Sequence, residues 1–389
     1  MRLVAFFQHM PPYSGAAALR GRSILRGLHE VAPGGPLEVY TTTPNPDPLP
    51  GGTVTTLPGE EVENALSLLR RMLGELRVGW TAARSMFPRR GGERVALISS
   101  PAYLTALVIS TFARWRRVPY VLELRDVYPQ VYAEAGLLRR ESLAYGFFAA
   151  RSRAMYKHAA KVIVATHGLG REVSEAAGDT PVVCVYNGFP REMCERRARK
   201  HERFTVCFHG VLGFFQDVET LVALARRLAT HEVDVVAIGY GRKEPLLAEA
   251  RLSNLRFLGR QPHAATIAEV ERCHVGLCLR LDDGISKDAF PVKVWEYIGL
   301  GIPSVVTPPC EAGDFLERHG CGIQQAAGDV DALLTVVLAL KADPSALERM
   351  SARCRDVGVS YTREQTGREA ARAIVGAFGE SLAEVTGSA

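Results

Sequence analysis

Short apolar segments recur along this chain with helix-length stretches between them, and the series occurs twice. Alternation of strand-like and helical segments is typical of parallel β-sheets that are covered by helices. The first series ends at a turn, Asn187-Gly188-Phe189-Pro190, and the second begins after the charged stretch 191–203. The sequence therefore predicts an α/β protein with two doubly wound, Rossmann-like parallel-sheet domains in tandem.

The predicted strands define the domain boundaries. Those of the first series are Leu3–Phe7, Leu37–Thr41, Val95–Ile98, Tyr120–Leu124, Val162–Ala165 and Val182–Val185. Those of the second are Phe204–Phe208, Val233–Gly239, Leu255–Leu258, Val275–Leu279, Ser304–Thr307 and Gly322–Ile323. A length of 389 residues fits two domains of about 190 residues each. We therefore expect an N-terminal domain at 1–190, an exposed linker at 191–203, a C-terminal domain at 204–361 and a long amphipathic helix within 362–389.

Composition and cysteine spacing exclude several classes of protein. No apolar run reaches the roughly 18 residues that a membrane-spanning helix requires. The short apolar opening Met1–Phe7 is expected to be a strand and not a signal peptide. The eight cysteines contain no C-x-x-C pair, so neither a zinc site nor a disulfide framework is indicated. We expect a cytoplasmic protein without a metal site and without a nucleic-acid partner.

Positive charge is concentrated in the first half of the chain. Residues 1–190 contain 22 Lys and Arg against 15 Asp and Glu, a net charge of +7. Much of this excess lies in Leu66–Arg94, where arginines alternate with leucines, Trp80 and Phe87. One interpretation is a basic amphipathic helix in peripheral contact with the inner face of the cell membrane, where each cation contributes about 1 kcal/mol. The other is a core-packed helix with a solvated basic face.

Loops that follow the predicted strands are the expected ligand-binding positions, because open parallel sheets bind ligands beyond the carboxyl ends of their strands. After the first strand, Gly15 and Ala16 precede a helix whose first N–H groups can approach an anion. In the second domain, Gly210 follows the predicted strand Phe204–Phe208, and Gly239 ends the predicted strand Val233–Gly239. The Gly-Tyr-Gly sequence that begins at Gly239 lacks the spacing of a dinucleotide fingerprint, so an NAD site is not indicated.

Ionisable residues also close a strand of the first domain. Arg125 and Asp126 directly follow the predicted strand Tyr120–Leu124. Such a neighbouring pair is either a structural ion pair or part of a binding site. Charged residues at the end of a strand belong to functional sites more often than charged residues elsewhere.

The segment Lys287–Thr307 places charges among apolar residues. Asp288, Lys293 and Glu296 lie between Phe290, Val294, Trp295 and Ile298. Charges so placed cost free energy unless a partner pairs with them. A nucleoside diphosphate sugar would supply such a partner. The preceding Asp282-Asp283 pair is expected to be exposed and not to bind a metal.

Seven short motifs occur in order along nearly the whole chain. They are SGA at 14–16, ELRDVYP at 123–129, VYNG at 185–188, HGVLGFFQD at 209–217, IGYG at 238–241, LRFLGRQP at 255–262 and the stretch 287–307, which contains PVKVWEY at 291–297. This series resembles the retaining GT-B glycosyltransferases of family 4, and more narrowly the bacterial branch that makes O-antigen and related surface polysaccharides. The resemblance implies two Rossmann-like domains with a cleft between them and a final helix that crosses back to the N-terminal domain.

The resemblance also implies roles for particular residues. Glu296 matches the glutamate that binds the ribose hydroxyls, Asp288 the carboxylate that orients the donor sugar, and Lys293 the lysine that neutralises the diphosphate. Arg125 and Asp126 fall at the position of a frequent His-Asp pair, and we take them with Lys293 and Asp288 as candidate catalytic residues. Further donor contacts are implied for Gly15, Ala16, Gly210, Gly239, Arg260, Gln261, Phe290, Pro291 and Val292, with Arg260 and Gln261 next to the nucleobase.

The chain also departs from the pattern of the family. Val211 and Gln216 stand where many relatives have an arginine and a lysine, so two of the usual diphosphate cations are absent. Lys293 is therefore expected to act more alone.

The activity that the resemblance implies is transfer of a sugar, with retention, from a nucleoside diphosphate sugar to an acceptor hydroxyl. A UDP-sugar is favoured as the donor, the acceptor is expected to be a polyprenyl-linked sugar in surface glycan synthesis, and no metal cofactor is required. Three alternatives remain open: a glycosyltransferase for natural products or other small molecules, a UDP-sugar 2-epimerase, and a non-catalytic nucleotide-sugar-binding module.

Overall fold

The computed structural model describes residues 2–13, 15–59, 68–89, 92–100, 102–134, 136–282, 284 and 286–379. The chain forms two compact units. Unit 1 contains Met1–Asn187 and Arg363–Ala389, and unit 2 contains Gly188–Thr362. The polypeptide therefore leaves unit 1 after Asn187 and returns to it at Arg363.

A parallel sheet forms the centre of unit 1. Its strands are β1 (Arg2–Phe6), β2 (Leu37–Thr41), β3 (Gly52–Thr56), β4 (Arg94–Ser100), β5 (Tyr120–Leu124), β6 (Lys161–Val164) and β7 (Val182–Cys184). Within the described residues the spatial order is β3-β2-β1-β4-β5-β6-β7, and every neighbouring pair is parallel. The central strands are buried on both faces, as the all-buried pattern of β5 illustrates. Strands of this kind appear in a sequence as continuous apolar runs.

Helices cover both faces of the unit 1 sheet. They are α1 (Ala16–Val31), α2 (Leu68–Met86), α3 (Tyr103–Trp115), α4 (Gln130–Glu134), α5 (Leu143–Lys157) and α6 (His167–Ala177). Alternate residues of β1 enter two different cores, because successive side chains of a strand point to opposite faces. Val4 and Phe6 pack with α2 and α3, whereas Leu3 and Ala5 pack with α1.

Unit 2 repeats this architecture. Its strands are β8 (Thr205–Val211), β9 (Asp234–Tyr240), β10 (Leu255–Phe257), β11 (Val275–Leu279), β12 (Ser304–Thr307) and β13 (Gly322–Gln324). In the part of the unit that the structure describes, they form a parallel sheet in the order β10-β9-β8-β11-β12-β13. The helices are α7 (Val218–Leu228), α8 (Glu244–Ala248), α9 (His263–Val270), α10 (Val292–Leu300), α11 (Glu311–His319), α12 (Val330–Ala342) and α13 (Pro344–Gly358). The prediction of two parallel-sheet α/β domains is therefore confirmed.

The stretch predicted as an exposed linker packs on unit 2. Residues Arg191–Glu195 form a 3₁₀ helix in which the Met193 side chain is buried. Further along, the Lys200 ammonium donates to the carbonyl oxygens of Glu271 at 3.0 Å and Cys273 at 2.6 Å. These contacts fasten the charged stretch to the connection between α9 and β11, so it forms part of the domain.

The last described helix, α14 (Arg363–Ala377), packs closely on α1 within unit 1. A Cβ atom at Gly27 would lie 2.2 Å from the carbonyl oxygen of Gly367, and one at Gly367 would lie 2.3 Å from that of Ser23. Both helices thus need glycine where their backbones meet. Residues 380–389, which include the end of the predicted final helix, lie outside the described residues.

Candidate functional site

Glycines let the ends of β8 and β9 approach each other in unit 2. Gly210 has φ +122° and Gly241 has φ +141°, a backbone region that L-residues with side chains rarely adopt. A Cβ atom at Gly239 would lie 2.0 Å from the carbonyl oxygen of Gly210. Any side chain at 239 would therefore displace the end of β8. Gly239 has at least this structural role, and its predicted donor contact stays a prediction.

Lys293 is a buried cation in the first turn of α10. Its Nζ donates to the Gln216 Oε1 at 2.8 Å and lies 3.9 Å from the centre of the Phe208 ring. Burial, with a smaller contribution from the nearby positive charge of Arg280, lowers the pKa of Lys293 to about 8. A Cβ atom at Gly210 would lie 3.6 Å from this Nζ. The ammonium therefore lies beside the open backbone of Gly210, where an anion would meet both.

The backbone at the start of α10 adds to this electrostatic environment. The helix is capped by Pro291, and no side chain caps its first N–H groups. Val292 occupies the first turn next to Lys293. The first N–H groups of a helix carry partial positive charge, so α10 and Lys293 favour an anion at the same end.

Glu296 lies one turn further along α10 and faces two histidines. Its Oε1 is 2.8 Å from the His263 Nε2, and its Oε2 is 3.7 Å from the His209 Nε2. Burial lowers the pKa of His209 to about 4, so this imidazole is neutral at pH 7. Of the described polar atoms, the His209 Nε2 is among the few buried ones without a hydrogen-bond partner. His263 thus holds one oxygen of the Glu296 carboxylate. The other oxygen faces the His209 ring, whose Nε2 has no hydrogen-bond partner among the described atoms.

The sequence did not single out His209 or His263 individually. His209 lies in the second half of β8 and His263 begins α9, and each is far along the chain from Glu296. Their proximity depends on the order of the strands in the sheet. The spacing of residues within a single helix or strand cannot predict it. The available signals were the motifs, because His209 is the first residue of HGVLGFFQD and His263 directly follows LRFLGRQP.

The residues before α10 divide between surface and core. Asp288 ends the 3₁₀ helix Ser286–Asp288 and is half-buried. The Phe290 ring is buried and stacks on Trp295, with centroids 4.1 Å apart. Phe290 thus packs in an aromatic cluster with its ring turned away from solvent. Asp283 lies outside the described residues, so the expected exposure of the Asp282-Asp283 pair stays a prediction.

Arg260 and Gln261 lie in the loop between β10 and α9. The Arg260 guanidinium is stacked 4.3 Å from the centre of the Tyr240 ring, and that ring is 41% exposed. The exposed Gln261 amide donates to the carbonyl oxygen of Leu258 at 2.7 Å. A flat cation on an exposed aromatic ring offers a planar surface at the carboxyl edge of the sheet, to which a nucleobase can add by stacking.

The predicted residues of unit 1 lie at the carboxyl edge of its own sheet. Gly15 is the N-cap of α1, and Ala16 is its exposed first residue. A Cβ atom at Gly15 would lie 2.4 Å from the Tyr13 ring, which stacks on His9 with centroids 4.6 Å apart. Glycine therefore permits this aromatic stack in front of α1. Ser14, the first residue of the SGA motif, lies outside the described residues.

Arg125 and Asp126 follow β5. Burial raises the pKa of Asp126, Glu123 raises it further, and Arg125 opposes both effects. Considering only described atoms, the Arg125 Nε is buried without a hydrogen-bond partner. The neighbouring Glu123 is already engaged, since it accepts from the Arg20 Nε at 2.6 Å and from the Ser99 hydroxyl at 2.5 Å. Glu123 is thus occupied by these two hydrogen bonds, and Asp126 is the carboxyl group of the loop that follows β5.

The basic segment forms α2 with two distinct faces. Ala82, Ala83 and Met86 are buried in the unit 1 core, whereas Trp80 is 54% exposed. Trp80 contacts Phe112 of α3, and the exposed Trp115 at the end of α3 extends the aromatic surface. Arginines lie over both tryptophan rings. No helix in the described ranges combines the length and apolar composition needed to cross a membrane.

Among the described residues, no group of three or more His, Cys, Asp or Glu side chains is arranged to hold a metal ion. The arrangement at α10 instead combines a cation, helix N–H groups and a carboxylate, which together suit an anionic, hydroxyl-bearing ligand.

Unit 2 is similar to a known protein family. The family model described as glycosyl transferases group 1 matches residues 191–357, which is most of that unit. Over these residues the chain is similar to the group 1 glycosyltransferases. A probable glycosyltransferase, WbjE of Pseudomonas aeruginosa, is 22% identical over 273 residues, which are 64% of this chain. The alignment spans 66% of that relative's length.

Solved structures match both units of the chain. Alr3699/HepE of Anabaena in complex with UDP has a TM-score of 0.66 at 14% identity, over 96% of this chain and 99% of that one. WaaG, a glycosyltransferase involved in lipopolysaccharide biosynthesis, has a TM-score of 0.69 at 15% identity, over 96% and 100%. Sucrose-phosphate synthase from Thermosynechococcus elongatus has a TM-score of 0.72 at 13% identity, over 99% and 100%. At these identities the likeness shows the fold, and the predicted GT-B fold is confirmed.

Proposed function

We propose that this chain is a retaining glycosyltransferase of family 4 type, which moves a sugar from a UDP-sugar to an acceptor hydroxyl. The observation that carries the proposal is the pair Lys293 and Glu296, a buried cation and a buried carboxylate three residues apart at the start of α10. Both lie within residues 191–357, which match the family model of the group 1 glycosyl transferases. HepE, which shares the fold, has been crystallised with UDP and with UDP-glucose.

In the proposed donor complex each part of the nucleotide has its own partner. The diphosphate binds Lys293, the open backbone at Gly210 and the first N–H groups of α10. The ribose hydroxyls donate to Glu296, whose carboxylate His263 holds in place. The nucleobase adds to the stacked pair of Arg260 and Tyr240.

Transfer begins with departure of the sugar from the diphosphate. Charge then develops on the leaving phosphate oxygen, and fixed donors that point at this oxygen stabilise it more in the transition state than in the ground state. Lys293 supplies the ammonium, and Asp288 orients the sugar hydroxyls. We assign the acceptor to unit 1, where Asp126 accepts a hydrogen bond from the attacking hydroxyl. The proposal needs no metal ion.

The acceptor is proposed to be a lipid-linked sugar in surface glycan synthesis. WaaG acts in lipopolysaccharide biosynthesis, which supports an acceptor of this kind. The ELRDVYP sequence at 123–129, which belongs to the series of motifs that resembles the O-antigen branch, supports it further.

A nucleotide-binding screen tests the proposed activity. The full chain is heated with UDP, GDP, ADP or dTDP, and a ligand present at about 100 times its dissociation constant should stabilise it by about 2.7 kcal/mol. We expect UDP to give the largest shift. Incubation with UDP-glucose alone should release UDP slowly and form no epimer. Stabilisation by none of the four nucleotides contradicts the proposal, and an epimer formed without acceptor identifies an epimerase instead.

UDP affinity is expected to fall as the pH rises through about 8, because Lys293 loses its proton there in the ligand-free protein. Above this pH, binding must first restore the proton, so the dissociation constant increases by up to about tenfold per pH unit. The terminal phosphate, with a pKa of about 6, keeps its charge over this range. Calorimetric titrations at pH 7 and pH 9 measure the change. Equal affinity at the two pH values would contradict this role of Lys293.

We further propose that α2 and α3 hold unit 1 against an anionic membrane. The exposed Trp80 and Trp115 rings, each with an arginine over it, suit the boundary between lipid and water. The two interpretations of the basic segment are compatible, since its alanine face is buried and its tryptophan face is exposed. This surface would place the enzyme at the inner face of the cell membrane as a peripheral protein.

Arg77→Glu with Arg84→Glu is expected to reduce binding to vesicles that contain anionic lipid by more than tenfold, since each lost cation contributes about 1 kcal/mol. Both arginines are exposed on α2. Arg71 is less suitable, because it lies 3.5 Å from the buried Glu75 carboxylate. The control, Arg226→Glu with Arg349→Glu, makes the same charge change at exposed positions of unit 2. Co-sedimentation that is equal for the two double variants would remove the membrane proposal.

A further inference from the structure

A second cation lies at the edge of the unit 2 sheet that holds Lys293. Arg280 directly follows β11, and its backbone forms an isolated antiparallel bridge with Gln216. The N–H of Leu281 donates to the carbonyl oxygen of Phe215 at 3.1 Å, which continues this pairing. Because Gln216 also accepts a hydrogen bond from Lys293, the loop after β8 connects the two cations.

The Arg280 side chain is fixed along one side. Its Nε donates to the hydroxyl of Ser286 at 3.0 Å, and Ser286 is fully buried. Its Cζ lies 5.7 Å from the centre of the Phe215 ring. In the part of the chain that the structure describes, neither terminal nitrogen of this guanidinium donates to a protein acceptor. A half-buried, oriented pair of NH₂ groups is therefore available to a ligand.

The charges at this edge favour a ligand with more than one negative charge. The positive charge of Arg280 lowers the pKa of Lys293, so the two cations interact in the ligand-free protein. Gln216, which connects them, is neutral. Like charges in partly desolvated positions raise the free energy of the empty site, and an anion that pairs with both relieves this cost. A diphosphate has enough negative charge and enough oxygens to pair with two cations at once.

We propose that Arg280 is a second diphosphate-binding residue of this chain. Its two terminal nitrogens form a planar fork that matches two phosphate oxygens and gives short, charge-assisted hydrogen bonds. The assignment rests on the proposed donor site and adds a specific ligand to it. Arg280 lies outside the seven motifs that carry the family resemblance, so its role follows from its position after β11 and from its contacts.

Arg280→Gln is expected to weaken UDP binding about 10- to 100-fold, the effect of losing a hydrogen bond between charged groups. UMP, with one phosphate, should lose less affinity, and uridine should bind as tightly as it binds the wild type. Isothermal titration calorimetry of the full chain with UDP, UMP and uridine measures all three. Arg226→Gln removes the same charge from an exposed position on α7 and should leave UDP binding unchanged.

The possible outcomes separate a ligand contact from a structural role. An equal loss of affinity for UDP and uridine would mean that Arg280 only supports the fold of this edge, which overturns the proposal. Unchanged UDP affinity also overturns the proposal. A loss of affinity for UDP-glucuronate but not for UDP-glucose overturns it as well, because Arg280 would then bind a charged sugar and not the diphosphate. Arg280→Lys, which keeps the charge without the fork, should fall between the wild type and Arg280→Gln. It supplies the same comparison should the glutamine variant not fold.

If the proposed donor site itself is wrong, the titrations give a different result. In that case the wild-type chain binds neither UDP nor GDP, ADP and dTDP in parallel titrations. A wild type that binds UDP, together with an Arg280→Gln variant that binds it equally well, refutes only the assignment of Arg280.

Discussion

Lys293→Met is expected to reduce the transfer rate about 100- to 1000-fold and to stabilise the ligand-free protein at pH 7. The loss of rate follows from the proposed mechanism, because removal of one donor that meets a developing negative charge costs about 2.7 to 4 kcal/mol of barrier. Methionine has a similar length and no charge, so it fills the space of the lysine side chain while the ammonium is lost.

The gain in stability follows from the burial of Lys293. Its folded-state pKa of about 8 is lowered from 10.5, so the folded state binds this proton more weakly than the unfolded chain does. The resulting cost is fully present below pH 8 and disappears as the pH rises towards the unfolded value. We therefore expect Lys293→Met to be more stable by about 1 to 3 kcal/mol at pH 7, and by less at pH 10.

Initial rates and denaturant unfolding at the two pH values measure both effects. Lys287→Met, in the same segment but exposed, makes the same chemical change and should alter neither quantity. A Lys293→Met variant that keeps a rate within threefold of the wild type, or one that is less stable at pH 7, contradicts the assigned role.

Glu296→Ala is expected to weaken UDP binding about 100-fold and to abolish discrimination between UDP and 2′-deoxy-UDP. Each hydrogen bond from a ribose hydroxyl to a carboxylate contributes about 1.5 to 3 kcal/mol. The wild type should therefore bind the deoxynucleotide at least about tenfold more weakly than UDP, whereas the variant should bind the two equally. Competition titrations with both nucleotides measure this difference.

His263→Ala supplies the intermediate case. It removes the hydrogen bond that holds one oxygen of Glu296 but leaves the carboxylate in place. We expect a smaller loss of UDP affinity and partial discrimination against the deoxynucleotide. Discrimination that persists at the wild-type level in Glu296→Ala is incompatible with ribose binding by Glu296.

The central strands of both sheets were predictable because they are buried on both faces and therefore apolar throughout. The edge strand β3 was missed, since Gly52–Thr56 is mostly exposed and has no continuous apolar run. The charged stretch 191–203 was expected to be exposed. Many of its residues are exposed, but Arg196 and Lys200 bind acceptors of unit 2, which for Lys200 are backbone carbonyl oxygens. The charge of a segment alone does not show whether its side chains find hydrogen-bond or ion-pair partners in the folded state.

The candidate site was predictable only where its residues share one element. Lys293 and Glu296 lie on the same helix, so their spacing in the sequence already implied that they act together. His209, His263 and Arg280 come from three other parts of unit 2 and meet this helix only after the sheet has formed. Phe290 could not be assigned from its motif either, because its stacking on Trp295 depends on tertiary packing.

A crystal structure of the full chain with UDP tests the central claim most directly, through two distances. The claim predicts that a phosphate oxygen lies within about 3.2 Å of the Lys293 Nζ and a ribose hydroxyl within about 3.0 Å of a Glu296 carboxylate oxygen. UDP bound elsewhere on the chain, with both side chains unchanged from their ligand-free contacts, would contradict it.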